Sequence, residues 1–432
     1  MFDSVDLAAT LVELARLEGA DLDDAERIDQ IRLLEQLKAA AAAAQARITV
    51  AFDASQRQCA AERGIPAAAQ GRGISAQIAL ARRESPFLGA RHLGLAKTLV
   101  AEMPHTLAAL TRGETTEWRA TVMARETAEL SREDRIAVDA EVGPGLAELG
   151  DRQVAHRARE AGYRRDPHAL IRRTARAESE RCVTLRPAPD AMTYLTGALP
   201  LAQGVEVYAA LRRHAESLVG TGASGGRTRN QIMADTLVAR VTGREQATGT
   251  PVEIHLVMTD RAVLGGDDEP GQLGDELTGH GPVPAWLGRR IVREAERAWI
   301  RRLYADPSGD LVATDTRRRL FQGKLRRLMV VRDRLCRTPW CGAPIKHLDH
   351  PLPVARGGTT SRRNAQGLCE RCNYAKDAAD WWVRADPQHT GRHQVLITTP
   401  TGHTYRSEPP QPPGTRQVSD VEFYLSTLTL AS

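Results

Sequence analysis

This sequence has few aromatic residues, and it lacks the patterns of a membrane-spanning segment and of a signal peptide. Aromatic residues make up 4% of the 432 residues, and no apolar run approaches the length of a membrane-spanning helix, which needs about 20 residues. The N-terminus lacks the basic and then apolar pattern of a secretory signal. The chain is therefore expected to be a cytoplasmic protein with no membrane partner, and its length allows roughly two to four domains.

Cysteine is also scarce, and its placement is uneven. Of the six cysteines, four form two short-spaced pairs, Cys336-x4-Cys341 and Cys369-x2-Cys372. Such a spacing lets two thiolates reach one ion, and two pairs a few tens of residues apart predict a structural zinc site with four cysteine ligands. The alternative is that the four are buried free cysteines. Cys59 and Cys182 have no partner at this spacing and fit that second description, as small apolar side chains.

The segment between the two cysteine pairs has the pattern of a small mixed fold. Residues 345–350 alternate as in a short strand, which Pro351 ends. A flexible turn follows at Gly357 and Gly358. A second short strand is possible before a helix that runs from Leu368 to about Asp380. The predicted order is therefore strand, loop, strand and helix.

This segment resembles the HNH endonuclease motif, also called the ββα-metal fold, in the variant written DH…N…CxxCN. The resemblance implies that His350 is the general base and that Asp349 and Asn373 hold one Mg²⁺ or Mn²⁺ ion. It implies that Asn364 fixes the loop and so orients the base. It also implies that Lys376 contacts the phosphate from the first turn of the helix. Asp349 occupies a position where other members have histidine, as in the resolvase-like and CRISPR-type members.

His347 lies two residues before Asp349, and alternate residues of a strand share a face. It could be an auxiliary metal ligand or a phosphate contact. A solvated or hydrogen-bonded surface histidine is the other interpretation, and the sequence favours it.

Charge is distributed unevenly along the chain. The net charge is +5, whereas residues 301–376 contain 17 Lys and Arg against 6 Asp and Glu, which gives +11 and leaves 5 − 11 = −6 for the rest. A basic block next to a nuclease motif predicts a nucleic-acid partner, most simply double-stranded DNA. We expect Arg326, Arg327 and Arg332, on a predicted helix from Gly323 to Arg334, to contact the DNA backbone. The alternative is that these arginines pair with acidic residues of the protein.

The predicted fold class is α+β. Residues 1–168 are expected to form an all-helical domain, 169–322 a mixed α+β region, 323–386 the HNH domain with its zinc knuckle, and 387–432 a β-hairpin with a tail. The first long helical pattern runs from about Asp21 to Gln58. Its length is compatible with packing against a second copy, so a homo-oligomer is possible.

The whole arrangement resembles a family of actinobacterial HNH proteins with a large helical N-terminal domain of unknown function. The segments that carry this resemblance are Leu107-Ala108-Ala109-Leu110-x-x-Gly113, Ala234-Asp235, Gly281-Pro282-Val283-Pro284 and Arg332-Asp333-Arg334-x-Cys336. The expected function is metal-dependent cleavage of DNA. A zinc-knuckle DNA-binding protein or regulator without activity stays open as an alternative, and so does an RNA substrate.

Overall fold

A computed structural model describes residues 6–190, 192–243, 256–273, 282–295, 321, 323–386 and 392–411. The chain divides into two compact units, of which the first comprises residues 1–66 and 91–173 and the second residues 67–90 and 174–432. The N-terminal region is helical and the chain as a whole mixes helices and strands, which confirms the predicted α+β class. No helix within the described ranges is long and apolar enough to cross a membrane.

The helices are named in chain order. They are α1 Leu7–Leu14, α2 Asp24–Glu62, α3 Ile74–Arg82, α4 Pro86–Glu102, α5 Pro104–Thr111, α6 Glu117–Glu126, α7 Arg132–Val142, α8 Asp151–Arg165, α9 Pro167–Ser179, α10 Leu201–Gly220, α11 Arg229–Thr242, α12 Asp260–Leu264, α13 Ala285–Glu294, α14 Gly323–Asp333 and α15 Glu370–Lys376.

The strands follow the same numbering. They are β1 Cys182–Ala188, β2 Met192–Ala198, β3 Leu256–Val257, β4 Gly271–Leu273, β5 Pro282–Val283, β6 His347–Asp349, β7 Gln366–Leu368, β8 Trp382–Ala385, β9 Val395–Thr398 and β10 Thr404–Ser407. They form the antiparallel sheets β1-β2, β3-β4-β5, β6-β7 and β8-β9-β10.

The long helix α2 begins at a reciprocal cap. Asp23 accepts from the backbone N–H of Glu26 at 2.8 Å, and the Glu26 carboxylate accepts from the backbone N–H of Asp23 at 2.9 Å, which satisfies two donors that the helix itself cannot. Small residues such as Ala43 are fully buried on the face towards α5. Ile28 and Ile31 stay exposed. Pairing of two chains through this helix remains a prediction.

A buried carboxylate joins two helices of the first unit. Helix α5 has no side-chain cap of its own, and Asp139 of α7 takes that role by accepting from the backbone N–H groups of His105 at 2.7 Å and Thr106 at 3.0 Å. An acceptor at a helix N-terminus satisfies donors that burial would otherwise leave unpaired. The core around it, which contains Leu99, Met123 and other apolar residues, joins α2 to the helices up to α8.

Local sequence patterns in the middle of the chain are met in two places and not in two others. Alternation over 182–195 predicts a hairpin, which β1 and β2 form. Alternation over 252–258 predicts a strand, of which residues 256–257 form β3 and 252–255 lie outside the described residues. Asp166-Pro167 predicts the end of the helical region, but Pro167 stands at the first position of α9, where its missing N–H costs nothing. Glycines and prolines predict a loop over 265–284, but this segment contains β4 and β5.

Helix α3 packs against residues near the C-terminus. Ala76 and Leu80 of α3 share a hydrophobic cluster with Trp381, Val395 and Ile397. Residues 67–90 therefore belong with the C-terminal segment rather than with an all-helical domain ending at 168, because an apolar face at i, i+4 spacing needs a partner surface.

Strand pairing also runs across the boundary expected after residue 386. Strand β8 pairs with β9, for example Val383 with Ile397, and β9 pairs with β10, where Tyr405 lies opposite Ile397. The predicted hairpin thus continues a sheet that begins inside the expected nuclease domain. Both belong to one packed structure.

Candidate metal-binding and catalytic site

Strands β6 and β7 and helix α15 lie next to one another in the order that the sequence predicts. The two strands pair antiparallel, with His347 opposite Leu368 and Asp349 opposite Gln366. Helix α15 follows β7 after a single residue, Cys369, whose sulfur accepts from the backbone N–H of Cys372 at 3.4 Å and caps the helix. The helix is shorter than predicted, since it ends at Lys376 instead of near residue 380.

The four spaced cysteines come together. Their sulfur atoms all lie within 4.8 Å of one another, and the Cys341 sulfur lies 3.7 Å from that of Cys369 and 3.6 Å from that of Cys372. A tetrahedral zinc ion with Zn–S bonds of about 2.3 Å separates its sulfurs by about 3.8 Å. The cluster, completed by Cys336, can therefore hold a metal ion such as zinc.

The thiols of this cluster influence one another strongly. Hydrogen bonding from the Cys336 thiol, followed by Cys341 and Cys372, lowers the pKa of Cys369. Its position at the N-terminus of α15 also favours a thiolate. Hydrogen bonding with the Cys336 thiol, followed by Cys341 and Cys369, raises the pKa of Cys372. Thiols this close repel one another when ionised, and a bound cation would stabilise their thiolate forms.

The two remaining cysteines are unlike these four. Both Cys59 and Cys182 are exposed, so their interpretation as buried apolar side chains is wrong. Each stands on an outward-facing position of its helix or strand, which a single sequence does not reveal.

The buried carboxylate of Asp333 fixes the segment that leads into the cysteine cluster. Asp333 is 1% exposed, and it accepts from Arg332 Nε at 2.7 Å, from Arg337 Nη1 at 2.9 Å and from the backbone N–H of Gly367 at 2.7 Å. Burial by itself raises the pKa of Asp333, but the charges of Arg332 and Arg337 outweigh it, so the pKa lies below its ordinary value. The first two residues of the Arg-Asp-Arg-x-Cys segment, Arg332 and Asp333, thus have a structural role.

Arg332 is therefore not available to contact the DNA backbone, and the prediction that it does so is wrong. Its guanidinium is 7% exposed and also donates to the backbone oxygens of Arg362 at 2.7 Å and Ala365 at 2.6 Å. Arg326 and Arg327, on the same helix α14, are exposed, and neither has an ion-pair partner among the described residues. The sequence could not separate the three, because helical position alone does not tell which side faces the fold.

His350 is held from two sides. Its Nε2 lies 2.9 Å from the hydroxyl of Thr360, and its ring centroid lies 4.5 Å from that of Phe321. Thr360 is 5% exposed, so the hydroxyl is fixed by its surroundings. Sequence reasoning did not single out Thr360, since a threonine after a glycine turn carries no signal of its own.

Asn364 forms hydrogen bonds across the loop between β6 and β7 and so fixes the conformation of that loop. Its Oδ1 accepts from the backbone N–H of Leu352 at 2.8 Å, and its Nδ2 donates to the backbone oxygens of Leu352 and Thr359, each at 2.9 Å. These are contacts of the kind that the motif implied for Asn364. Gly358 lies so close that an added Cβ would come 1.8 Å from the Leu352 oxygen, so only glycine fits there.

Lys376 lies in the last turn of α15, not the first as predicted. Its ammonium forms an ion pair with Asp349 Oδ2 at 2.5 Å and donates to the backbone oxygen of His350 at 3.1 Å. Gln366, which the sequence did not single out, also donates from Nε2 to Asp349 at 3.3 Å. The helix end and the strand end are thus joined through one carboxylate.

Two side-chain oxygens of β7 and α15 are buried without a hydrogen-bond donor among the described residues. The Oδ1 atom of Asn373 is buried, and no donor in the described part of the chain reaches it; the same is true of Gln366 Oε1. A buried unpaired oxygen is costly unless something fills its coordination. Asn373 and Asp349 carry the kind of oxygen ligand that Mg²⁺ and Mn²⁺ take.

His347 lies at the start of β6 with its ring centroid 6.5 Å from that of Tyr374. It is partly exposed. Its contact with Tyr374 agrees with a surface histidine, and it lies on the Asp349 face of the strand.

The fold and this site define a helical protein with a C-terminal four-cysteine, strand-strand-helix module. Residues 33–333 match the family model described as "Domain of unknown function (DUF222)". The match covers more than half of the chain, so the protein belongs to this family. It ends at Asp333, and the cysteine cluster and the candidate catalytic residues lie beyond it. No curated protein and no solved structure matches the chain.

Proposed function

We propose that this protein is a metal-dependent HNH endonuclease that hydrolyses phosphodiester bonds in DNA. One observation supports it most. Asp349 ends β6, His350 follows it, and Lys376 of α15 contacts both; Asn373 lies three residues before Lys376 on that helix, so the two side chains are neighbours on its surface. The family also occurs in actinobacterial proteins associated with HNH motifs. A complete set of base, cation ligands and phosphate-binding groups favours an enzyme over a binding module.

His350 acts as the general base. It takes a proton from the water whose oxygen forms the new bond to phosphorus, while the bond to the 3′ oxygen breaks and that oxygen takes up a proton from solvent. Thr360 holds the imidazole in place through Nε2. Asn364 holds the loop that carries Thr360. Their part is to keep the ring in one orientation, which a loop alone would not do.

Asp349 and Asn373 hold the divalent cation, which when bound supplies positive charge for the phosphate and the leaving oxygen. Before a cation binds, Lys376 neutralises the charge of Asp349, because its ammonium forms an ion pair with that carboxylate. The four cysteines bind structural zinc, and since Cys369 caps α15, this ion fixes the helix against the strands. Arg326 and Arg327 contact the DNA backbone.

The proposal is tested by cleavage of supercoiled plasmid DNA with Mg²⁺ or Mn²⁺. His350→Ala is expected to abolish cleavage while DNA affinity stays within a few fold, because the residue acts in the transition state. His156→Ala is the matched control, since that side chain is 77% exposed on α8 and outside the site. Cleavage by His350→Ala at the wild-type rate would refute the assignment. Binding without cleavage by the wild-type protein would instead favour the regulator.

A further inference from the structure

Three exposed side chains extend from the proposed catalytic site along one surface. Tyr374 is 60% exposed and Phe87 is 59% exposed, and Arg371 lies between them. The Arg371 guanidinium lies 5.8 Å from the Phe87 ring centroid and donates to the backbone oxygen of Pro86 at 3.1 Å. Arg371 and Tyr374 are three residues apart on α15, so they are neighbours on the helix surface. We call Phe87, Arg371, Tyr374 and His347 the aromatic strip.

The strip begins at the proposed cation site. Tyr374 directly follows Asn373, and its ring contacts that of His347. His347 and Asp349 are two residues apart on β6 and share a face. A chain lying on the strip would therefore reach, through His347, the face of β6 that carries Asp349.

The two exposed rings lie outside the hydrophobic core of the second unit. The hydrophobic clusters that the described residues of the second unit form contain neither Phe87 nor Tyr374. Leaving a large aromatic side chain in water forgoes about 1.5–3 kcal/mol of burial. Rings that stay exposed beside a fixed guanidinium point to a ligand that has both flat apolar faces and negative charge.

Unpaired nucleotides have this chemistry, and duplex DNA does not offer it. Bases stack on aromatic rings with about 1–3 kcal/mol per base, and arginine contributes stacking and phosphate contacts. In a duplex the base faces are covered by their neighbours. A strip that ends at the cation site selects a strand whose bases are unpaired next to the scissile phosphate.

We propose that the aromatic strip binds unpaired nucleotides of the DNA strand beside the cleaved bond. The substrate class is then DNA with a single-stranded part, such as a flap, a fork or a frayed end. This inference rests on the proposed nuclease function of the same site and names its substrate.

The test compares binding of a single-stranded oligonucleotide and of a flush duplex of the same sequence by fluorescence anisotropy. The protein carries His350→Ala, so that neither ligand is consumed. Adding Tyr374→Leu is expected to weaken binding of the single strand about tenfold, the loss of roughly one stacked base, and to change duplex binding less than twofold. Arg371→Met should act in the same direction, and it serves if the first variant does not fold.

Tyr194→Leu is the matched control. Tyr194 is 54% exposed and has the Arg186 guanidinium carbon 5.6 Å from its ring centroid, but it lies on the β1–β2 hairpin. It should change neither affinity. Equal losses on both ligands, or no loss on the single strand, would overturn the inference.

Cleavage by the otherwise wild-type chain separates this inference from the function on which it rests. A selective loss of single-strand binding with no cleavage of any DNA would support the strip and contradict the nuclease. Faster cleavage of forked than of flush DNA, reduced to equal rates by Tyr374→Leu, supports both. Cleavage of flush duplex that Tyr374→Leu does not alter would retain the nuclease and reject the strip.

Discussion

Mild acid should destabilise the second unit through one buried histidine. His393 is 9% exposed; its Nε2 donates to the backbone oxygen of Arg363 at 2.8 Å, and its Nδ1 accepts from Arg337 Nη1 at 3.2 Å. These contacts require the neutral ring. Burial and then the charges of Arg332 and Arg337 lower the pKa of His393 to about 3, against a smaller opposing effect of Asp333.

The sign and size follow from linkage. The unfolded chain binds a proton at His393 below its ordinary pKa of 6.5, whereas the folded protein binds it only near pH 3. The free energy of unfolding therefore falls as the pH drops from 6.5 to 3 and is fully present above 6.5. The full shift corresponds to about 5 kcal/mol, and about 3 kcal/mol is lost at a pH of about 4.5. The pKa of Asp333 lies below its ordinary value of 3.8, so the contribution of Asp333 to the free energy of unfolding is lost only when the pH falls below 3.8.

His393→Gln removes the titrating group and can retain both hydrogen bonds, because an amide donates from nitrogen and accepts at oxygen. Urea unfolding near pH 7.5 and pH 4.5, followed by fluorescence, should show that this variant loses about 3 kcal/mol less than the wild type between the two values. Protonation of the cysteine cluster affects both proteins equally. His156→Gln, at an exposed position, should behave as wild type. An equal acid loss in His393→Gln and wild type would refute the reasoning.

The remaining predictions concern the charged and metal-binding groups. Arg332→Ala should reduce the free energy of unfolding by about 3–5 kcal/mol, because it leaves a buried carboxylate short of a partner; a melting temperature equal to wild type would contradict this. Arg326→Ala with Arg327→Ala should leave stability unchanged and lower the salt slope of DNA binding by about 0.9 for each lost phosphate contact; an unchanged slope contradicts the contact. The purified protein should contain about one zinc per chain, and Cys372→Ser should lose it and unfold the C-terminal segment first; elemental analysis that finds no zinc in active protein would overturn the assignment. Lys376→Met should tighten Mn²⁺ binding about fivefold in calorimetry, since about 1 kcal/mol of competing ion pair is removed; an unchanged affinity would show that the ammonium does not compete.

The sequence alone determined features that depend on local spacing. Short Cys-x-x-Cys spacing brings two sulfurs within reach of one ion whatever surrounds them, so the four-cysteine site followed from residue numbers. The β9–β10 hairpin followed from alternation and its glycine turn. These patterns are local because hydrogen bonds and ligand geometry act over a few residues.

Tertiary structure decided what depends on which side of an element faces the fold. Arg326 and Arg332 lie on the same helix and read alike in sequence, yet one is exposed and the other is buried on Asp333. The sequence did not reveal that Lys376 pairs with Asp349, because that contact depends on how α15 packs against β6. Helix α3 was assigned to the N-terminal helices, and it packs on the C-terminal sheet. Contacts between residues far apart in sequence follow from how whole elements pack against one another, and a single sequence carries no local signal of that packing.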